Sequence, residues 1–175
     1  GAYTGEVSIE MINELGCDFS IIGHSERRQY FNESDLDVNL KTKLALKNKV
    51  TPIICIGETL KQRQNGEFKE IILEQVNKAL FEISNKPIII AYEPIWAIGS
   101  GLTAENHQIE EVFELISETA KNNNVNADKL KILYGGSANV KNLDNLLKIP
   151  NISGFLIGSA SLDANNLIKM ADFVK

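Results

Sequence analysis

The residues of this chain best suited to chemistry stand just past short apolar runs. Glu93 follows Ile88-Ile89-Ile90-Ala91-Tyr92. A carboxylate there enters low-dielectric surroundings, where desolvation raises its pKa and makes it a stronger base. The plainer alternative is a Glu that ends a strand in solvent. His24 lies between Gly23 and a helical start at Ser25-Glu26. The positive end of a helix favours a neutral imidazole, able to donate an N–H to a substrate oxygen. The same place suits a His that only caps the helix. The turns Gly135-Gly136-Ser137 and Gly158-Ser159, with Gly99, carry the small residues that let backbone N–H groups approach a phosphate. Any tight turn uses Gly, so each is weak alone and stronger in company. His107, on the polar face of its helix, reads as solvated.

The segment after Glu93 is Pro94-Ile95-Trp96-Ala97-Ile98-Gly99-Ser100-Gly101. It has a stiff Pro at one end, Gly at the other and an apolar middle. An exposed loop of that kind is costly in water unless it closes over something. One reading is a lid that shuts water out of a reactive site. The other is a buried corner with Trp96 in the core.

These residues need a scaffold, and the apolar runs supply it. Asp18–Ile22, Pro52–Ile56, Pro87–Ala91, Lys131–Leu133 and Gly154–Ile157 read as strands. Each is continuously apolar, as in a parallel sheet buried on both faces. Helical spacing fills the stretches between them. Ile109, Val112, Phe113, Ile116 and Ala120 form one stripe on Ala104–Asn122, with Thr103 as the expected N-cap. Glu67–Ile83 and Leu36–Leu46 read likewise, and Ser8–Leu15 is bracketed by Ser8 and Gly16. Alternating strands and helices give an α/β fold. A doubly wound sheet and a (β/α)8 barrel both stay open, although a barrel needs about 250 residues and the chain has 175.

Composition narrows the function. At 43% hydrophobic and 23% charged, the chain reads as one folded domain over residues 1–175. A net charge of −5 argues against non-specific nucleic-acid binding. The longest apolar runs are far too short to cross a membrane. Cys17 and Cys55 lie in apolar segments without metal or redox spacing, and read as two buried thiols of a cytoplasmic protein.

Taken in order, several segments resemble the triosephosphate isomerase family over essentially the whole length. They are Gly1-Ala2-Tyr3-Thr4-Gly5-Glu6, Gly23-His24-Ser25-Glu26-Arg27-Arg28, Cys55-Ile56-Gly57-Glu58, Ala91–Gly99, Tyr134-Gly135-Gly136-Ser137 and Gly158-Ser159-Ala160-Ser161-Leu162. The resemblance implies a (β/α)8 TIM barrel, of which this chain covers about the last five βα units. It implies interconversion of dihydroxyacetone phosphate and glyceraldehyde 3-phosphate, with no metal or organic cofactor. Glu93 matches the base, His24 the neutral electrophile and Glu26 a supporting carboxylate. Gly99, Ser137, Gly158 and Ser159 match the phosphate-holding positions, and Pro94–Gly101 the closing lid. Gly1–Glu6 resembles a dimer loop in which Thr4 reaches the neighbouring site, so a homodimer is expected.

Two departures qualify this expectation. Ser159 stands where the family commonly has Gly, which keeps the backbone N–H. The family also places an Asn and a Lys after its first strand, in a region expected before Gly1. Without that Lys, the enediolate would be poorly stabilised and activity severely reduced. An inactive barrel fragment acting in binding or assembly is therefore the alternative reading.

Overall fold

The computed structural model describes residues 2–99 and 102–173. Gly1, Ser100 and Gly101, which belong to the expected dimer loop and lid, lie outside the described residues. Five strands form one parallel sheet: β1 (Phe19–Ile22), β2 (Thr51–Ile56), β3 (Ile88–Tyr92), β4 (Leu130–Tyr134) and β5 (Ile152–Phe155). Their spatial order is their chain order. This decides between the two α/β architectures. A doubly wound sheet reverses its strand order at a switch point, and there is no reversal here. Crossovers of the usual right hand that all step the same way put every helix on one face. The sheet is thus an arc of barrel type, consistent with part of a TIM barrel.

Strand residues alternate between the two faces. Ile54, Ile56, Ile90, Tyr92, Ile132 and Tyr134 share the helix side and are fully buried. They meet α3 (Asp35–Lys47), α5 (Phe68–Leu80) and α6 (Asn106–Asn122). The stripe expected on α6 is the buried one: Ile109, Val112, Phe113, Ile116 and Ala120. Phe113 sets its edge against Tyr92, with centroids 6.5 Å apart and planes at 79°, a favoured aromatic geometry. The other face is the concave side of the arc. Its rows run Ile21, Ile53, Ile89, Lys131 and then Cys55, Ala91, Leu133, Gly154. The next row along contains Gly57, Glu93 and Gly135, so the period of two aims Glu93 into the concavity.

Several expectations need correction. Burial on both faces holds for β2 and β3 but not at the edge: Phe19 and Ile21 of β1 are 54% and 51% exposed, because none of the described residues covers the concave side there. Cys17 is exposed rather than buried; it occupies the turn between α1 (Ile9–Glu14) and β1, not a strand. Thr103 is not the N-cap of α6. Glu105 is, and Gln108 Oε1 accepts its N–H at 3.0 Å, while Ala104 is buried upstream of the helix. The last strand begins two residues before the expected Gly154, because a register shift at Ile132/Leu133 and the Gly154 φ of +150° carry the bulge within it. A short helix, α4 (Leu60–Gln64), follows β2 and was not anticipated. The remaining helices are α2 (Ser25–Phe31), α7 (Leu143–Leu146) and α8 (Ala164–Asp172). Among the described residues, no helix is long and apolar enough to cross a membrane.

Phe113 packs both the helix layer and Tyr92 of the central strand. Its truncation to Ala is expected to cost about 3–5 kcal/mol, read as a lower urea midpoint. Leu36→Ala, at a side chain 67% exposed, should stay within about 0.5 kcal/mol.

Candidate active site

The strand ends of β1, β2 and β3 meet around Glu93. Its backbone N–H donates to Ile56 C=O at 2.7 Å, which extends the sheet one residue past β3. Glu93 needs space on two sides, and two glycines provide it, Gly135 for the side chain and Gly57 for the main chain. A Cβ on Gly135 would lie 2.8 Å from Glu93 Cγ, and one on Gly57 would overlap the Glu93 carbonyl oxygen. Glu93 is 3% exposed. Burial pushes its pKa up, and His24, Ser25, Cys55 and Arg28 around it offset part of that rise.

The turn after β1 brings His24 to the same point. Gly23 N–H donates to Glu33 Oε1 at 2.9 Å, and Gly23 C=O accepts from Arg28 Nε at 2.8 Å. Glu33 is itself buried; burial works against its charge, but hydrogen bonds from Lys41 and Arg27 and the Gly23 N–H hold its pKa below the usual range. The chain then enters α2 with His24 as N-cap. Nδ1 of His24 accepts the Glu26 N–H at 3.2 Å, and Nε2 lies 3.1 Å from Glu93 Oε1. A ring nitrogen that accepts cannot carry the proton, so the network assigns it to Nε2 and the imidazole is neutral. Ser25 N–H donates to Glu93 Oε2 at 3.1 Å. Both carboxylate oxygens are thus held by consecutive residues of one turn. The cap and the chemical reading of His24 are not exclusive: capping is what fixes its tautomer.

The segment after Glu93 is partly a corner. Pro94 and Ala97 are buried, Ile95, Trp96 and Ile98 half-buried, and Gly99 exposed. A 3₁₀ turn covers Ile95–Ala97. Its root is fastened to Glu58, whose carbonyl accepts the Ile95 N–H at 3.1 Å. Glu58 Oε1 accepts from Trp96 Nε1 and Tyr92 Oη, each at 3.0 Å. Glu58 is fully buried; that burial raises its pKa, while Trp96, Tyr92 and the Arg63 charge 3.7 Å away act against the rise. Among the described residues its Oε2 has no hydrogen-bond partner. Burial also pushes the Tyr134 phenol up to about 12.

Beyond the carboxylate, a cavity of about 240 Å³ is lined by Gly99, Gly135, Gly136, Ser137, Gly158 and Ser159. Ser137 Oγ donates to Ala97 C=O at 2.6 Å, which ties the cavity to the segment after Glu93. The geometry therefore gathers Gly99, Ser137, Gly158 and Ser159 in one place and Glu93 with His24 beside it. Glu26 differs: its side chain is exposed, and among the described residues its contribution is the backbone N–H on His24.

The family model of triosephosphate isomerase matches residues 1–174. The chain belongs to the triosephosphate isomerase family. The relatives named triosephosphate isomerase include that of Acetivibrio thermocellus, 49% identical over all of this chain and 72% of its own length. The one from Endomicrobium trichonymphae is 46% identical, with the same coverage. The one from Mycoplasma capricolum subsp. capricolum is 46% identical over 99% of this chain and 72% of its own length.

In the sequence Glu58 stands only as the end of the Cys55-Ile56-Gly57-Glu58 segment, with no task of its own; the half-buried Trp96 and buried Tyr92 that face it are the missing signal. Burial sets its pH behaviour. With a folded pKa above the ordinary 4.5, native Glu58 keeps a proton that the unfolded chain releases. That stability is full at acid pH and is lost as pH rises from about 4.5 through the raised value. Glu58→Gln stays neutral throughout. Its unfolding temperature is expected to exceed the parent's near pH 7 and to converge with it at acid pH. A pH-independent difference in melting scans would rule this out.

Proposed function

We propose that this family site interconverts dihydroxyacetone phosphate and glyceraldehyde 3-phosphate, with Glu93 as base and His24 as electrophile. The observation that carries the reading is the His24 ring, with Nδ1 accepting the Glu26 N–H and Nε2 3.1 Å from a buried Glu93 carboxylate, beside a cavity of about 240 Å³. In the forward direction Glu93 takes the proton from the carbon next to the carbonyl. The electron pair left behind forms the enediolate, and His24 Nε2–H stabilises the oxygen that gains charge. Glu93 then returns the proton to the adjacent carbon, while a proton moves between the two oxygens by way of His24. Nothing is consumed, and base and ring return to their starting states. To reach carbon, the carboxylate must leave the Ser25 N–H, and the lid that begins at Pro94 moves with it. Closure of that lid would bring Gly99 over the phosphate, beside Ser137, Gly158 and Ser159.

The same reading takes the chain as a single domain, one arc of an eight-stranded barrel. Half-exposed Phe19 and Ile21 and the free edges of β1 and β5 support this, since open edges invite aggregation unless paired. A homodimer through the Gly1–Glu6 loop, a cytoplasmic location and a place in glycolysis belong to the same proposal. Thr4, exposed in that loop, is the residue that would reach the partner's site. No observation favours an inactive fragment.

A coupled assay on glyceraldehyde 3-phosphate tests the chemistry in the full-length protein. Glu93→Gln is expected to lower kcat by about 10²–10⁴-fold, while inorganic phosphate still competes with substrate. Turnover at the parent's rate would remove Glu93 from its role. In the parent, kcat/KM should fall on the acid side with a midpoint above 4.5, the ordinary value for Glu.

A further inference from the structure

We infer that Gln75 is a positioning residue for Glu93, acting through Gly57; this rests on the isomerase reading above. Gln75 stands half-buried on α5. Its carboxamide satisfies both backbone groups of a single residue. Gly57 N–H donates to Gln75 Oε1 at 2.8 Å, and Gln75 Nε2 donates to Gly57 C=O at 3.2 Å. Gly57 is the first residue past β2, where the ladder to β3 has run out. The Gln75 side chain replaces that ladder and fixes the plane of the backbone there.

The orientation matters because Gly57 lies directly against the main chain of Glu93. A Cβ at Gly57 would overlap the Glu93 carbonyl oxygen, so a tilt at residue 57 passes straight to the base. The next residue along is Glu58, which holds Ile95, Trp96 and Tyr92. One neutral side chain in the helix layer therefore sets the backbone that carries the base on one side and the root of the lid on the other. Gly23 has similar support from Glu33 and Arg28, but those residues also form ion pairs with Lys41 and Asp35. Gln75 is neutral, and its described hydrogen bonds both go to Gly57, which makes it the clean position for a test. It also borders an open groove of about 570 Å³ between α3 and α5, where a changed side chain has room.

The cavity is built from the turns after β4 and β5 with Ile98 and Gly99, and the described side-chain hydrogen bonds of Gln75 go to Gly57 instead. Loss of Gln75 should therefore fall on the chemical step and spare phosphate binding. A misplacement near 1 Å can cost about 10²-fold in rate. For Gln75→Met in the full-length protein we expect kcat lower by about 10- to 100-fold, with KM and competition by inorganic phosphate within about 2-fold. The acid limb of kcat/KM should also move toward the ordinary carboxylate value of 4.5, because a loosened Glu93 meets more water. If Gln75→Met does not fold, Gln75→Glu keeps the acceptor for Gly57 N–H and carries the same expectation. Unchanged kcat in the folded variant would overturn the inference. So would kcat and phosphate affinity falling together with the folded fraction. Glu93→Gln, assayed in parallel, separates the two levels: if it is inactive while Gln75→Met is normal, only the positioning role fails; if it retains turnover, the base assignment fails and the positioning role with it.

Discussion

A carboxylate only 3% exposed at the end of an apolar strand is the constraint around which the rest is arranged. An ionised group there is costly unless both oxygens find donors. Glu93 finds them in one turn, at His24 Nε2 and Ser25 N–H. Those donors exist because Gly23 is clamped by Glu33 and Arg28 and because α2 starts where it does. Glu93 also needs room from the two neighbouring strands: Gly135 leaves it for the side chain and Gly57 for the main chain, and a Cβ at either position would press on Glu93. Held so, the carboxylate has its pKa raised by burial, and the groups around it offset part of that rise.

Glu58 solves a different problem with the same chemistry. It is a buried acid whose partners are the Trp96 and Tyr92 side chains and the Ile95 N–H. These residues flank Glu93 in sequence, so the latch and the base share one stretch of backbone. The unsatisfied Oε2 marks the latch as incompletely compensated. Through Ile95 and Trp96 the segment after Glu93 is fastened at its root to the turn after β2.

Much of this was legible in the sequence because its signals are local. The α6 stripe at Ile109, Val112, Phe113, Ile116 and Ala120 needs only a period of 3.6, and it is buried as read. The central strands follow from unbroken Ile-rich runs. The turns with Gly99, Ser137, Gly158 and Ser159 announced small residues, and the fold gathers them around one cavity. What escaped depends on contacts distant along the chain. Gln75 and Gly57 are 18 residues apart; Glu58 and Trp96 are 38 apart. Neither spacing has a sequence pattern. The errors at the edges have the same origin. An apolar run such as Phe19–Ile22 looks alike whether its second face is covered or open, and Cys17 takes its exposure from a turn, not from its neighbours' hydropathy.

The strand order also explains why the tasks separate cleanly. In a sheet whose order follows the chain, each turn neighbours only the turns before and after it. The first three turns hold His24, Glu58 and Glu93; the last two hold most of the cavity, and Gly99 reaches it from the third. Glu93 with His24 and most of the cavity lining thus rest on different hydrogen-bond networks. They meet in two places. Gly135 touches Glu93 while lining the cavity, and Ser137 Oγ reaches Ala97 C=O in the segment after the base. An anion that settles in the cavity is therefore one residue from the backbone that carries the carboxylate. Coupling between binding and chemistry needs no longer path than that.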